Sequence, residues 1–126
     1  MKISKAIEKR MREYPAFYQA VWRACAEIPA GQVRTYGWIA RRVGKPKAAR
    51  AVGQALGKNP FAPAIPCHRV VGADGRLTGY SAKGGVATKR RMLIKEGVSN
   101  IRGALVRDVK NQRTLEVLDV KLSPAR

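Results

Sequence analysis

The chain has 126 residues, 45% of them hydrophobic, and sets 26 Lys+Arg against 8 Asp+Glu for a formal net charge of +18. That is enough chain for one modest core without staples and too apolar for a disordered polycation, and so basic a surface asks for a polyanion: nucleic acid first, an anionic membrane surface second. With no secretory signal, no apolar run of bilayer length, two cysteines and one histidine, the composition excludes a disulfide scaffold, a spanning helix and a His/Cys zinc cluster, so a metal-free chain of the cytoplasm (nucleoid-associated) or nucleus is expected.

Ile3, Ala6, Ile7 and Met11 keep helical spacing and predict a short amphipathic helix over 1–13. Tyr14-Pro15 ends it, because the residue before a proline is pushed out of helical geometry. Phe17, Val21, Trp22, Cys25 and Ile28 form a stronger stripe, closed by Pro29-Ala30-Gly31; Cys25 lies on that apolar face and reads as a packing residue. Thr35 suits the N-cap of a helix reaching about Val43, with Trp38, Ile39 and Val43 inward. After a tight break at Gly44-Lys45-Pro46, residues 47–56 resume as a helix with Gly57 as its C′ glycine. Two helices joined by a turn of about three to four residues make a helix-turn-helix outline. Ala48, Ala49, Ala51, Gly53 and Ala55 leave the second helix nearly smooth while Lys47 and Arg50 charge it. Such a helix suits close approach to a nucleic-acid groove; the alternative, close helix packing, does not need the two charges.

Asn59-Pro60-Phe61-Ala62-Pro63 predicts an irregular loop, and Val70-Val71 and Arg76-Leu77 flank a hairpin turn at Ala73-Asp74-Gly75. A flexible loop over 80–85 leads to a last helix over 86–96, ended by Gly97, and 104–109 with 115–122 read as two short strands around Lys110-Asn111-Gln112-Arg113. The expected architecture is mostly α with small β-hairpins, a winged-helix-like helix-turn-helix.

Between these elements Ile65-Pro66-Cys67-His68-Arg69-Val70-Val71 places a cysteine beside the only histidine. A free thiol with pKa near 8.5 is only ~3% thiolate at pH 7, and cationic neighbours raise that share; His68 and Arg69 follow the sulfur directly. Adjacent residues of an extended chain point to opposite faces, so Cys67 and His68 need a water bridge or a turn to share a proton. Taken alone, the pair is as compatible with a buried structural cysteine as with a nucleophile.

The flanks supply more. Pro66-Cys67-His68-Arg69-Val70, after Lys47-Ala48-Ala49-Arg50-Ala51-Val52-Gly53 and Asn59-Pro60 and before Tyr80-Ser81 and Glu96-Gly97, resembles the DNA-binding and catalytic domain of the O6-alkylguanine-DNA alkyltransferases, also called methylated-DNA–protein-cysteine methyltransferases. The similarity runs from about Phe17 to Gly97. It implies irreversible transfer of an alkyl (methyl) group from O6-alkylguanine in double-stranded DNA to Cys67, once per molecule, without a cofactor, by a monomer. The target base lies inside the stack and has to be rotated out first, at roughly a few kcal/mol.

The resemblance further implies that the 47–56 helix enters the minor groove, with Lys47, Ala48, Ala49 and Thr35 at the DNA. Arg50 would intercalate in place of the flipped guanine, a phosphate contact being its alternative. Cys67 is implied as nucleophile, His68 as acceptor of its proton through a water, and Glu96 as the residue that orients His68. Asn59 would tie the active-site segment to the recognition-helix turn, and Tyr36 would donate a proton to the N3 edge of the departing guanine. The backbone near Cys67 and Val70, the Ser81 amide, Tyr80 and Leu56 are implied as the substrate pocket.

Many relatives carry a separate N-terminal domain, some with zinc, whereas here only ~15 residues precede the matched region, too few for one. The expected division is an N-terminal helix over 1–15, a catalytic and DNA-binding domain over 16–97, and an extension over 98–126 with no clear counterpart. Ala62 stands where some relatives have proline, so tolerance for bulky alkyl groups does not carry over. Two rivals remain: an alkyltransferase-like protein that flags damage without transfer, typically with tryptophan at the cysteine position, and an architectural DNA-binding protein. The second leaves the joint presence of Cys67, His68, Tyr36 and Glu96 unexplained.

Overall fold

A computed structural model describes residues 3–77 and 84–106. Ser4 accepts the Ile7 amide at 3.2 Å and so opens α1 (Lys5–Met11) later than the expected 1–13, and the chain leaves the helix at Arg12. α2 (Ala16–Ala26) follows Pro15 and buries Val21, Trp22, Ala24, Cys25 and Ala26. Ile28 is buried just beyond it and Phe17 packs half-buried, so the predicted stripe is the inward face. Trp22 fixes how α2 meets its neighbours. Its indole Nε1 donates to the Ala55 carbonyl at 2.9 Å, and its ring meets Phe61 edge-on with centroids 5.6 Å apart. Truncating it to alanine would cost about 3–5 kcal/mol.

Thr35 accepts the Trp38 amide at 3.0 Å and caps α3 (Tyr36–Arg42). The buried face of α3 is Ile39 and Ala40; Trp38 and Val43, expected inward, pack half-buried against the core. Gly44, at φ 81°, closes the helix with a Schellman motif: its N–H meets the Arg41 carbonyl at 3.0 Å and the Lys45 N–H meets that of Ala40 at 2.8 Å. α4 is Ala49–Gly57 and not 47–56: residues 45–48 form a separate turn, closed by the Ala48 amide on the Lys45 carbonyl at 2.9 Å, and the first helical bond runs from the Val52 amide to the Ala48 carbonyl at 2.9 Å. The linker 43–48 is accordingly longer than the expected turn. Gly57 is the last helical residue and not a C′ glycine; Lys58, at φ −100°, caps the helix, and the Asn59 amide reaches the Leu56 carbonyl at 3.1 Å.

β1 (Arg34–Thr35) runs parallel to β2 (Val70–Val71), with Arg34 opposite Val70 and Thr35 opposite Val71. Nothing in the sequence marks β1, because a two-residue strand has no period. The predicted 73–75 turn forms, with the Gly75 amide 2.8 Å from the Gly72 carbonyl. Its arms part, however: β2 pairs with β1, while Arg76 bridges Leu105. α5 (Gly85–Lys95) ends on a second Schellman motif, Gly97 at φ 99° donating to the Ile94 carbonyl and Val98 to that of Leu93, each at 3.0 Å. β3 (Ile101–Arg102) pairs antiparallel with β4 (Leu105–Val106). Of the two expected C-terminal strands, the first, over 104–109, contains β4, and the residues from 107 on lie outside the described residues.

Two apolar clusters hold the fold. The larger gathers α1 to α4 with Phe61, Ile65, Cys67 and Val70; the smaller joins Val33, Val71, Leu77, Leu93, Val98 and Val106. The chain passes from one to the other between Val70 and Val71, so the cysteine segment forms the seam. The architecture is mostly α with small β elements around a helix-turn-helix.

Candidate active site

A 3-10 turn over Cys67–Arg69 meets the geometric objection raised by the sequence, since residues in a tight turn do not alternate across a strand. The turn starts where the Cys67 amide donates to the Ile65 carbonyl at 2.8 Å and the Arg69 amide to that of Pro66 at 2.9 Å. All three side chains are buried: Cys67 is 7% exposed, His68 1% and Arg69 4%. Glu96, set at the end of α5 by its Schellman motif, receives two of them. His68 Nε2 lies 3.0 Å from Glu96 Oε2, and Arg69 donates through Nε to Oε1 at 3.0 Å and through Nη2 to Oε2 at 2.7 Å. Arg69 Nη1 also donates to the Ile28 carbonyl at 2.6 Å, so one guanidinium fastens the chain after α2 to the end of α5. Gly31, at φ 90°, lets that chain pass closely: a Cβ there would stand 3.1 Å from the Glu96 carbonyl oxygen.

Burial opposes the charge on Glu96, but hydrogen bonds from Arg69 and His68 together outweigh it and hold the carboxyl below its ordinary value. Burial pulls His68 below its ordinary value despite Glu96, so the ring is neutral at pH 7. With Nε2 donating to the carboxylate, Nδ1 carries the lone pair; it is buried and without a hydrogen-bond partner among the described residues. Burial pushes the Cys67 thiol up, opposed by a hydrogen bond from Asn59 and then by the charge of Lys89. The expectation that His68 and Arg69 supply the cation beside the sulfur is therefore corrected. Arg69 is turned to Glu96 and His68 is neutral, and the charge acting on the thiol is that of Lys89 from α5. Burial holds the Cys25 thiol well above its ordinary value, in keeping with a packing role.

Asn59 is buried; its Nδ2 donates to the Ile65 carbonyl at 3.0 Å and its Oδ1 accepts the Phe61 amide at 2.8 Å, so it links the end of α4 to the approach to Cys67. Tyr36 directly follows β1 and opens α3, and its ring centroid lies 6.0 Å from the Nζ of Lys89 on α5, the helix packed against the Cys67–Arg69 turn. Gly53 of α4 faces its ring, where a Cβ would make ordinary contact at 3.9 Å. Lys47 and Arg50 are exposed at the start of α4, with Ala48 and Ala49 half-buried between them. Thr35 is buried and its hydroxyl is occupied as the α3 cap, which places it behind the surface and not on it. Leu56 is part of the larger core, and Val70 is fully buried, with its amide donating to the Cys67 carbonyl. Tyr80 and Ser81 lie outside the described residues. Lys89, which the sequence reading passed over, is 1% exposed. Its signal was its place on the Val86–Lys89–Leu93 helical stripe, an inward position for a charged residue.

Among the described residues there is no cluster of three His, Cys, Asp or Glu able to hold a metal, and no helix long and apolar enough to cross a membrane. A family model described as the 6-O-methylguanine DNA methyltransferase, DNA binding domain, matches residues 16–98. A methylated-DNA–protein-cysteine methyltransferase of Methanosarcina acetivorans is 53% identical over 81 residues, which are 64% of this chain and 51% of that one. The crystal structure of Mycobacterium tuberculosis OGT in complex with DNA is similar at a TM-score of 0.63 and 53% identity, covering 66% of this chain and 50% of that one. That of S. pombe Atl1 in complex with damaged DNA containing O6-carboxymethylguanine is similar at a TM-score of 0.61 and 39% identity, covering 69% and 81%. The chain spans about half the length of the methyltransferases it matches. A buried Cys-His turn braced by Glu96, carried on a fold shared with these proteins, makes the chain a member of the 6-O-methylguanine DNA methyltransferase family through its DNA-binding domain.

Proposed function

We propose that the protein repairs O6-alkylguanine in duplex DNA by transferring the alkyl group to Cys67, once per molecule. The observation that carries this reading is the His68–Glu96 hydrogen bond beside a buried thiol. The thiol separates this reading from a protein that only flags damage, since a neutral, carboxylate-oriented histidine can activate a nucleophile only where a cysteine stands beside it. His68 Nδ1 takes the thiol proton through a bridging water, and the imidazolium that forms is stabilised by Glu96. The sulfur attacks the alkyl carbon, and the sulfur–carbon bond forms as the carbon–O6 bond breaks. Guanine keeps the electron pair and takes up a proton, for which Tyr36 is the donor. The imidazolium on His68 then gives up its proton and the phenolate left on Tyr36 recovers one through water, so that the net change exchanges the alkyl group for the thiol proton and the step needs no cofactor. The thiolate of a thioether is a poor leaving group and the Pro66–Val70 motif supplies no second nucleophile to release it, which makes the reaction stoichiometric.

Delivery of the base falls to α4. Lys47 and Arg50 stand exposed at its N-terminal end, where the helix dipole also favours phosphate, and Ala48 and Ala49 keep that end low enough for the minor groove. Arg50 fills the place of the flipped guanine. Thr35 contributes by fixing the start of α3. Tyr80 and Ser81 complete the pocket with the Val70 backbone, and residues 16–97 act as one monomeric unit on DNA in the nucleoid or nucleus. Incubation with a duplex holding one O6-methylguanine tests the proposal by intact mass. Gain of one methylene per protein supports it, and binding without any mass gain leaves only a damage-recognition protein.

A further inference from the structure

Lys89 is a buried ammonium that the reaction as written does not use. A charge at 1% exposure is expensive to keep, and a methionine would fill the same place on the Val86–Lys89–Leu93 stripe without that cost. Its surroundings come from four elements. α5, which carries it, packs against the Cys67–Arg69 turn. Its Nζ lies 6.0 Å from the centroid of the Tyr36 ring at the start of α3. The groups that favour its charged form are the thiols of Cys67 and, from α2, Cys25. On the turn itself, His68 and Arg69 are both engaged by Glu96.

We propose that Lys89 is the positioning cation of the transfer site, its buried ammonium holding negative charge on the Cys67 sulfur while lying against the ring of Tyr36. The inference rests on the reading of Cys67 as alkyl acceptor. It answers a difficulty in that reading, since burial raises the thiol above its ordinary value and His68 is neutral. Burial also brings Lys89 down to about 8 while it pushes the thiol up, and each group's charged form is favoured by the other's. The two groups then ionise as a pair: loss of the thiol proton is easiest while Lys89 keeps its own.

The test uses a small thiol reagent in place of DNA. The whole protein is treated with methyl methanethiosulfonate from pH 6 to 10; the thiolate forms a disulfide bond to the methylthio group and methanesulfinate leaves. Peptide mapping reads Cys67 separately from Cys25, and circular dichroism confirms that each variant is folded. Lys89→Met is expected to move the Cys67 midpoint up by about one pH unit and to slow it about tenfold at pH 7, with Lys89→Arg recovering most of the loss. A folded Lys89→Met with an unmoved midpoint, or an arginine variant no better than methionine, would overturn the proposal. Should methionine not fold, the unmodified chain gives the same answer. The Lys89 Cε resonance should titrate at lower pH once Cys67 is capped, because capping removes the thiolate that favours the ammonium. An unchanged titration overturns the proposal. Failure to transfer from DNA with this coupling intact would sink the repair reading alone.

Discussion

His68 Nε2 stands 3.0 Å from Glu96 Oε2, a pair joined across 28 residues because α5 ends in a Schellman motif that sets Glu96 against the Cys67 turn. The same carboxylate holds Arg69, so a single acidic side chain both orients the base and closes the fold around it.

If the proton leaves through this pair, His68→Ala and Glu96→Gln should each slow transfer by about 10²-fold under saturating DNA. The double variant should lose much less than the product of the two, because both act on one proton path. Single-turnover rates of the three variants decide it; multiplicative losses would contradict the pathway.

Arg69 is expected to matter for stability more than for chemistry. Arg69→Met leaves the Ile28 carbonyl and the Glu96 carboxylate without their guanidinium, and should cost about 2–3 kcal/mol, at the low end for a broken buried pair because Glu96 is 20% exposed. Urea midpoints measure the loss. A midpoint unchanged from the parent would mean that the clamp contributes nothing.

Acid should unfold the protein in two stretches. The folded chain binds protons at His68 and Glu96 more weakly than the unfolded chain, so both groups make stability fall as pH falls. For His68 the decline begins below about pH 6.5; for Glu96 it begins below about pH 4.3 and runs down through the lower folded value. Glu96→Gln should flatten the lower stretch and, because the carboxylate favours the protonated His68 ring, extend the upper one to lower pH. A urea midpoint that rises on acidification below pH 6 would reverse both assignments.

Arg50 separates base flipping from attraction. The +18 charge should make binding depend steeply on salt and hardly at all on sequence, and Lys47→Ala should weaken that component. With about 4–6 phosphates neutralised, log K should fall against log salt with a slope of roughly −4 to −5. Arg50→Ala should instead reduce transfer from duplex DNA far more than transfer from free O6-benzylguanine, measured at saturation. Equal losses on both substrates would remove Arg50 from the flipping step.

What was legible in the sequence is what periodicity and side-chain chemistry encode locally. The α2 stripe, the Thr35 cap, the glycine that ends α5 and the packing role of Cys25 follow from such signals. The start of α4 differs from the expected one because Ala48 and Lys47 carry good helix propensity and no capping side chain marks the boundary. β1 and the parting of the 70–77 hairpin depend on partners distant in sequence. The cation beside Cys67 was sought in its chain neighbours, whereas tertiary packing turns Arg69 to Glu96 and brings in Lys89 from α5. A lysine among several basic residues reads as solvated unless its place on the apolar stripe is weighed.

The central claim is that Cys67 takes the alkyl group once. With O6-methylguanine duplex in excess, guanine restored and S-methylcysteine formed should both plateau at one per protein, with peptide mapping placing the methyl group on Cys67 and none on Cys25. Cys67→Ser should bind the duplex and restore nothing. Continued restoration beyond one guanine per protein, or a methyl group found on another residue, would contradict the account.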